Sequence, residues 1–294
     1  MRTCVLLLVF AATSLVHATT AAAQSLVVCG WDEVFVRDVR GAPRKTWSWK
    51  AADRPELPER YRGKFRTTDE CKPVSDDRIL ITASSDGAAL VRRGTGETLW
   101  WGECGNAHSA ELLPGDRIAL ACSVRESTGN RLVLFDARIP ERELFSTELY
   151  SGHGVVWDPE RQRLWALAET ELRAYVLRAW DGPSPSLELE TRHPLPDAGG
   201  HELSAVPGTA QLLVSTTNGV WRFDRATGRF APDPSLGSVD HVKSAVVHPV
   251  TGRLAYTQAG SPEWWTDRIR FANPAADVRL PGERLYKVRW DAPN

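Results

Sequence analysis

The chain has 294 residues, 42% hydrophobic and 25% charged, with 36 Lys and Arg against 37 Asp and Glu for a net charge of -1. This composition excludes collagen-like and disordered classes. It also offers no excess of cations to neutralise a phosphate backbone, so no nucleic-acid partner is expected.

The first element is a leader. Arg2 provides the positive end, Val5 to Phe10 begin an apolar run, and small residues lead to Ala21-Ala22-Ala23 before Gln24. The pattern predicts a signal peptide over 1–23 and a single domain over 24–294. The apolar run is too short to span a membrane, and no later stretch reaches that length. The expected location is secreted or periplasmic, without membrane insertion. Beyond Cys4 the chain keeps Cys29, Cys71, Cys104 and Cys122, and an oxidising compartment permits disulfides among them. Placed against neighbouring entry strands, Cys71 and Cys104 are the expected bridge, with Cys29 and Cys122 as buried thiols.

A repeat organises the rest. Each unit has an entry residue, a strand, a turn rich in Pro, Gly or Asp, and a second strand. Examples are Asn106-Ala-His-Ser-Ala-Glu-Leu-Leu-Pro-Gly-Asp, Gly152-His-Gly-Val-Val-Trp-Asp-Pro and Gly200-His-Glu-Leu-Ser-Ala-Val-Pro-Gly. Alternating runs such as Leu132 to Asp136 and Val220 to Asp224 supply a third strand, and a short fourth follows. Entry positions at 69, 108, 153, 201 and 243 are separated by 39, 45, 48 and 42 residues, the spacing of propeller blades. A further step lands near Tyr286, where one strand remains, while the N-terminus offers three strands without an entry. The sequence therefore predicts an all-β fold: a six-bladed β-propeller of four-stranded blades, closed by pairing of N- and C-terminal strands. Ala51 to Arg66 is the longest insert, expected as a loop or one short helix.

Entry residues of a propeller converge on one mouth of its channel. Here they are Asp69 or Glu70, His108, His153, His201, Lys243 (with His241 two before) and Tyr286. Neutral imidazoles on separate strands suit a transition metal, Mn, Fe, Zn or Ni, better than calcium. His108, His153, His201, His241 and Glu70 are the candidate ligands. Lys243 or Tyr286 would be the base or acid. Arg66 and Lys72 would hold an anionic substrate, and Trp264 and Trp265 would stack on a sugar. Ranked after a metal site are a histidine ring that binds a ligand without metal and histidines that only cap their blades; Trp157, Trp165, Trp221 and Trp290 are expected to pack between blades. No nucleophile elbow and no phosphate-binding loop is present.

On Asn106-Ala-His-Ser-Ala-Glu-Leu-Leu-Pro, Gly152-His-Gly-Val-Val-Trp-Asp and Gly200-His-Glu-Leu, the span from Val27 to Trp290 resembles an uncharacterised family of secreted bacterial six-bladed propellers. That resemblance implies fold and export but no reaction. In kind, the chain is also similar to propeller polysaccharide lyases such as oligogalacturonate lyase, which have seven blades and hold a metal through histidines on the channel face. This implies metal-assisted, lyase-type cleavage of an acidic saccharide; the chain is expected to act as a monomer. The alternative is a non-catalytic propeller that binds a glycan or a protein. A calcium lactonase ranks third, because the aligned positions offer His.

Overall fold

In a computed structural model, residues 25–39, 44–75, 77–260 and 262–292 are described. The expected leader lies outside them. Each alternating run becomes a strand because successive side chains point to opposite faces, and here both faces are buried. Along Arg78–Ala83, Ile79 and Ile81 enter one apolar cluster and Leu80 enters the next. The described residues form six such clusters, each at a boundary between blades. At about 1.5–3 kcal/mol for each buried Val, Leu or Ile, these boundaries are the main source of stability.

The strands form six antiparallel four-stranded sheets. Blade 1 joins β1 (Ser25–Gly30), β2 (Glu33–Asp38) and β3 (Lys45–Trp49) to the last strand, β24 (Lys287–Trp290), which is innermost. Blade 2 is β4 (Thr68–Ser75), β5 (Arg78–Ala83), β6 (Gly87–Arg92) and β7 (Thr98–Glu103). Blade 3 is β8 (Ala107–Leu113), β9 (Arg117–Cys122), β10 (Arg131–Asp136) and β11 (Glu143–Glu148). Blade 4 is β12 (Gly154–Asp158), β13 (Arg163–Leu167), β14 (Glu171–Arg178) and β15 (Ser186–Pro194). Blade 5 is β16 (Glu202–Ala205), β17 (Gln211–Ser215), β18 (Val220–Asp224) and β19 (Arg229–Pro232). Blade 6 is β20 (Val242–Val247), β21 (Leu254–Gln258), β22 (Arg268–Ala272) and β23 (Ala276–Arg279). The inner strands β24, β4, β8, β12, β16 and β20 adjoin in that order, and β20 returns to β24.

Closure follows the expected route: Leu26 pairs with Trp290, and Cys29 with Lys287. The insert before β4 contains one short helix, α1 (Glu59–Arg62), between two 3-10 turns. It places Leu57, Tyr61 and Phe65 in the cluster between blades 1 and 2. No described helix is long and apolar enough to cross a membrane.

The expected Cys71–Cys104 bridge is corrected. Cys104 bonds to Cys122, with Cα atoms 5.9 Å apart, while Cys29 and Cys71 are buried thiols. Cys104 lies in the turn after the outer strand β7, not on an inner strand. The pairing of Ala107 with Cys122 brings that turn to the end of β9.

Two cations on β24 fill the axis. Arg289 bonds Glu70 of blade 2 at 2.8 Å and Glu202 of blade 5 at 2.6 Å. Those blades are opposite one another, so the guanidinium lies across the axis. Lys287 reaches Glu202 at 3.2 Å and the carbonyl oxygens of His108 and His153 at 3.4 Å each. Ending the chain at Glu283 removes both cations with the strand and leaves two buried carboxylates uncompensated. Breaking one buried pair costs about 3–5 kcal/mol, a large part of a domain's stability. The truncated chain should show no cooperative thermal transition. Arg289→Met in the full chain should lower the denaturant midpoint, and adding Glu70→Gln and Glu202→Gln should restore part of it.

Candidate functional site

Each blade sends one side chain to the same mouth: Tyr286, Asp69, His108, His153, His201 and Lys243. The backbone device is shared. In blades 2, 3 and 6 the register shifts between Thr68 and Glu70, Ala107 and Ser109, and Val242 and Ser244. Asp69, His108 and Lys243 are therefore bulge residues, and a bulge re-aims its side chain. In blades 4 and 5 the histidine immediately precedes the strand, with its N–H donating to Leu167 or Ser215 at 3.0 Å.

The residue two before each histidine has positive φ: Asn106 at 57°, Ser151 at 51° and Gly199 at 81°. That turn aims its carbonyl at the imidazole. His108 Nδ1 donates to Asn106 O at 3.0 Å, His153 Nδ1 to Ser151 O at 2.8 Å, and His201 Nδ1 to Gly199 O at 2.7 Å. A carbonyl only accepts, so the proton of each neutral ring is on Nδ1 and Nε2 is a bare acceptor. The rings adjoin, with centroids 4.4 Å apart for His108 and His153 and 4.8 Å for His153 and His201. A Cβ at Gly154 would strike Leu203, so the glycine after His153 allows blades 4 and 5 to approach closely. Among the described residues, no three His, Cys, Asp or Glu side chains form a ready coordination shell.

Burial and nearby cations keep the rings neutral. Burial, with smaller contributions from Lys287, His201 and Lys243, lowers His108 to about 3. Burial and then Lys243 lower His201 to about 4. His153 lies well below the ordinary value, through burial and its two histidine neighbours. Burial raises Asp69 to about 7, although its carboxylate accepts the Ser84 N–H. Burial and Lys287 lower Lys243 to about 8. Tyr286 is pushed well up by burial and nearby carboxylates. Asp69 Oδ1 is 4.0 Å from His108 Nε2. Shifted groups of this kind concentrate at functional sites, although ion networks produce them too.

The structure moves Glu70, Lys72 and Arg66 away from the mouth and keeps His241 and Trp264 beside it. Glu70 lies one position below the rim, held to about 2: burial opposes ionisation, but Arg289 and Lys287 outweigh it. Asp69 has the rim place in that blade. Lys72 is deeper again, bonded to Glu111 at 3.0 Å and Val155 O at 2.8 Å. It lines a cavity of about 170 Å³ with Pro73, Trp157 and Pro159, toward the opposite mouth. His241, at φ 52°, holds the turn position equivalent to Asn106, Ser151 and Gly199, and its charge acts on His201. Arg66 is exposed at the end of the insert, its backbone N–H donating to Ser85. Trp264 is 37% exposed and packs edge-on to Tyr286 at 5.7 Å.

Sequence reasoning missed Trp31 and Arg284. Trp31 stacks on Trp264 at 5.2 Å, with Trp265 edge-on at 6.2 Å and the Arg284 guanidinium 4.3 Å from the Trp31 ring centre. Trp31 has a φ of 54°, rare for a bulky side chain, so nothing in the sequence marks it as a turn residue. The result is an aromatic lip beside the rim.

Together these features define a closed six-bladed propeller with a charge-filled axis and a histidine-rich mouth. Residues 18–294 match the model of a family described as "Family of unknown function (DUF6528)", and the chain belongs to that family. No curated protein matches it. Among solved structures, "Crystal structure of Nidogen/Laminin Complex" contains a similar fold: 16% identity over 90% of this chain and 97% of that one, with a TM-score of 0.59. At that identity the likeness concerns the fold alone.

The shifts give a signed pH dependence. The unfolded chain protonates a histidine below about 6.5, whereas folded His108 resists down to about 3. Stability from His108 is therefore present above 6.5 and is lost on acidification. His108→Asn should flatten the acid limb of stability against pH by roughly 1.4 kcal/mol per pH unit near pH 5. Asp69 acts in the opposite sense. Its folded value is raised, so its contribution falls as pH climbs from the ordinary carboxylate value toward about 7. Asp69→Asn should remove that decline. Denaturant unfolding across pH 4–8 reads both effects.

Proposed function

We propose that the mouth formed by His108, His153 and His201 is a metal-assisted site acting on an acidic saccharide. One observation carries the reading: three imidazoles on consecutive blades, each fixed by an Nδ1–H bond to the carbonyl two residues before it, present unprotonated Nε2 atoms at one mouth. That is the tautomer and support metal ligands require. A divalent transition metal bound there would neutralise the carboxylate of a uronate.

The remaining roles belong to side chains of the mouth. Asp69 and Lys243 are its members that change charge near neutral pH, so they are assigned the proton transfers. Lys243 in its neutral form takes the proton from the carbon next to the uronate carboxylate. The glycosidic C–O bond breaks as the double bond forms, and protonated Asp69 gives its proton to the leaving oxygen. Tyr286 keeps its proton and orients substrate by donating a hydrogen bond. Trp264, backed by Trp31, stacks on the apolar face of the sugar ring. That same stack favours the second reading, a propeller that binds a glycan without cleaving it.

Elemental analysis of protein purified from the exported fraction separates the readings. The expected result is stoichiometric transition metal that is lost in His153→Ala with the thermal transition retained, and wild-type protein that forms unsaturated uronides from acidic polysaccharides. Metal-free protein that binds the glycan unchanged would replace catalysis with binding. Protein that neither carries metal nor binds acidic or neutral glycans would refute both.

A further inference from the structure

Cys29 and Cys71 are on different blades, in β1 and β4, within the single apolar cluster between blades 1 and 2. Their Sγ atoms approach one acceptor, the Lys287 carbonyl oxygen, at 3.6 and 3.9 Å. Both thiols are fully buried. The disulfide present, Cys104–Cys122, joins neighbours in chain order. Cys29 and Cys71 are the other neighbouring pair among the described residues.

We propose that Cys29 and Cys71 are the site of a second disulfide, made before β24 seats against β1. The oxidant is a small-molecule or protein disulfide, the class that also makes Cys104–Cys122. One cysteine thiolate attacks it, forming a mixed disulfide and releasing one thiol. The second cysteine thiolate then attacks the mixed disulfide, forming the Cys29–Cys71 bond and releasing the second thiol. The two cysteines lose two electrons and two protons, and the oxidant gains them.

The timing follows from access. The thiolate is the reactive form, and in the closed ring burial pushes the Cys71 thiol well up. No reagent reaches a sulfur with no exposed surface. In the open ring β1 and β4 can already pack together, while the Lys287 carbonyl is not yet beside them. After closure the bond is shielded from reductants and ties the strand that receives β24 to blade 2.

The test is a peptide map without reduction, on exported protein unfolded in denaturant containing an alkylating reagent. The expected outcome is one peptide joining Cys29 to Cys71 and no alkylation at either. The exported Cys29→Ala, Cys71→Ala variant should melt roughly 5–10 °C lower. Protein folded under reducing conditions and then given oxidised glutathione should keep both thiols. Alkylation of both residues in exported protein, or linkage of either to Cys104 or Cys122, overturns the bridge. Rapid oxidation of the folded reduced protein overturns the proposed order. If the double variant does not fold, the map of the wild-type chain decides alone.

Discussion

Arg289 between Glu70 and Glu202 is the interaction on which the ring depends. A propeller surrounds its axis with inner strands whose side chains must either line a channel or fill it. Here they fill it with charge. Two buried carboxylates from opposite blades would repel each other, and a buried charge left without a partner is strongly destabilising. The guanidinium answers both with paired hydrogen bonds, and the Lys287 ammonium adds contacts above it. Such a cluster contributes less net stability than its Coulomb energy implies, because desolvation offsets much of it. Its contribution is register: one inner strand carries both cations, so only β24 in its observed pairing satisfies blades 2 and 5 together.

The cluster also sets the chemistry of the mouth. Lys287 is directly under His108 and His153 and bonds their backbone carbonyls. Its positive charge joins burial in opposing imidazolium formation. The rings are thus proton-poor at neutral pH, while Asp69 and Lys243 on the same rim remain titratable near neutrality. The division between groups that accept and groups that exchange protons therefore falls within one rim: the three histidines stay neutral, and Asp69 and Lys243 titrate.

Blade count, closure and the ring of entry residues were legible in the sequence because repetition makes them so. The spacing alone placed His108, His153, His201, Lys243 and Tyr286 at one mouth. The bulge at Asp69 was not legible, since an extra residue in an alternating strand is indistinguishable from an ordinary register until its partner is known. Hence Asp69 and Glu70 stood as alternatives, and Lys72 was assigned to a rim that is about 10 Å away along an extended strand. Trp31 escaped notice because its turn conformation is one that tryptophan seldom adopts. The cross-axis pairs depend on which blades face each other, and only the closed ring determines that. The cysteine pairing failed for a similar reason: Cys104 is near an entry residue in sequence but belongs to the turn leaving the previous blade.

The left-handed turn before four of the six rim residues has a consequence for how this mouth can diversify. Asn106, Ser151, Gly199 and His241 all have positive φ although they are four different residues, one of them glycine, so the turn, rather than the residue filling it, aims the following group. Exchange of the rim side chain in any of these four blades therefore leaves the aiming device intact. Blades 3 to 6 work as a set of interchangeable sockets, each reloaded by a single codon change without redrawing the loops around it.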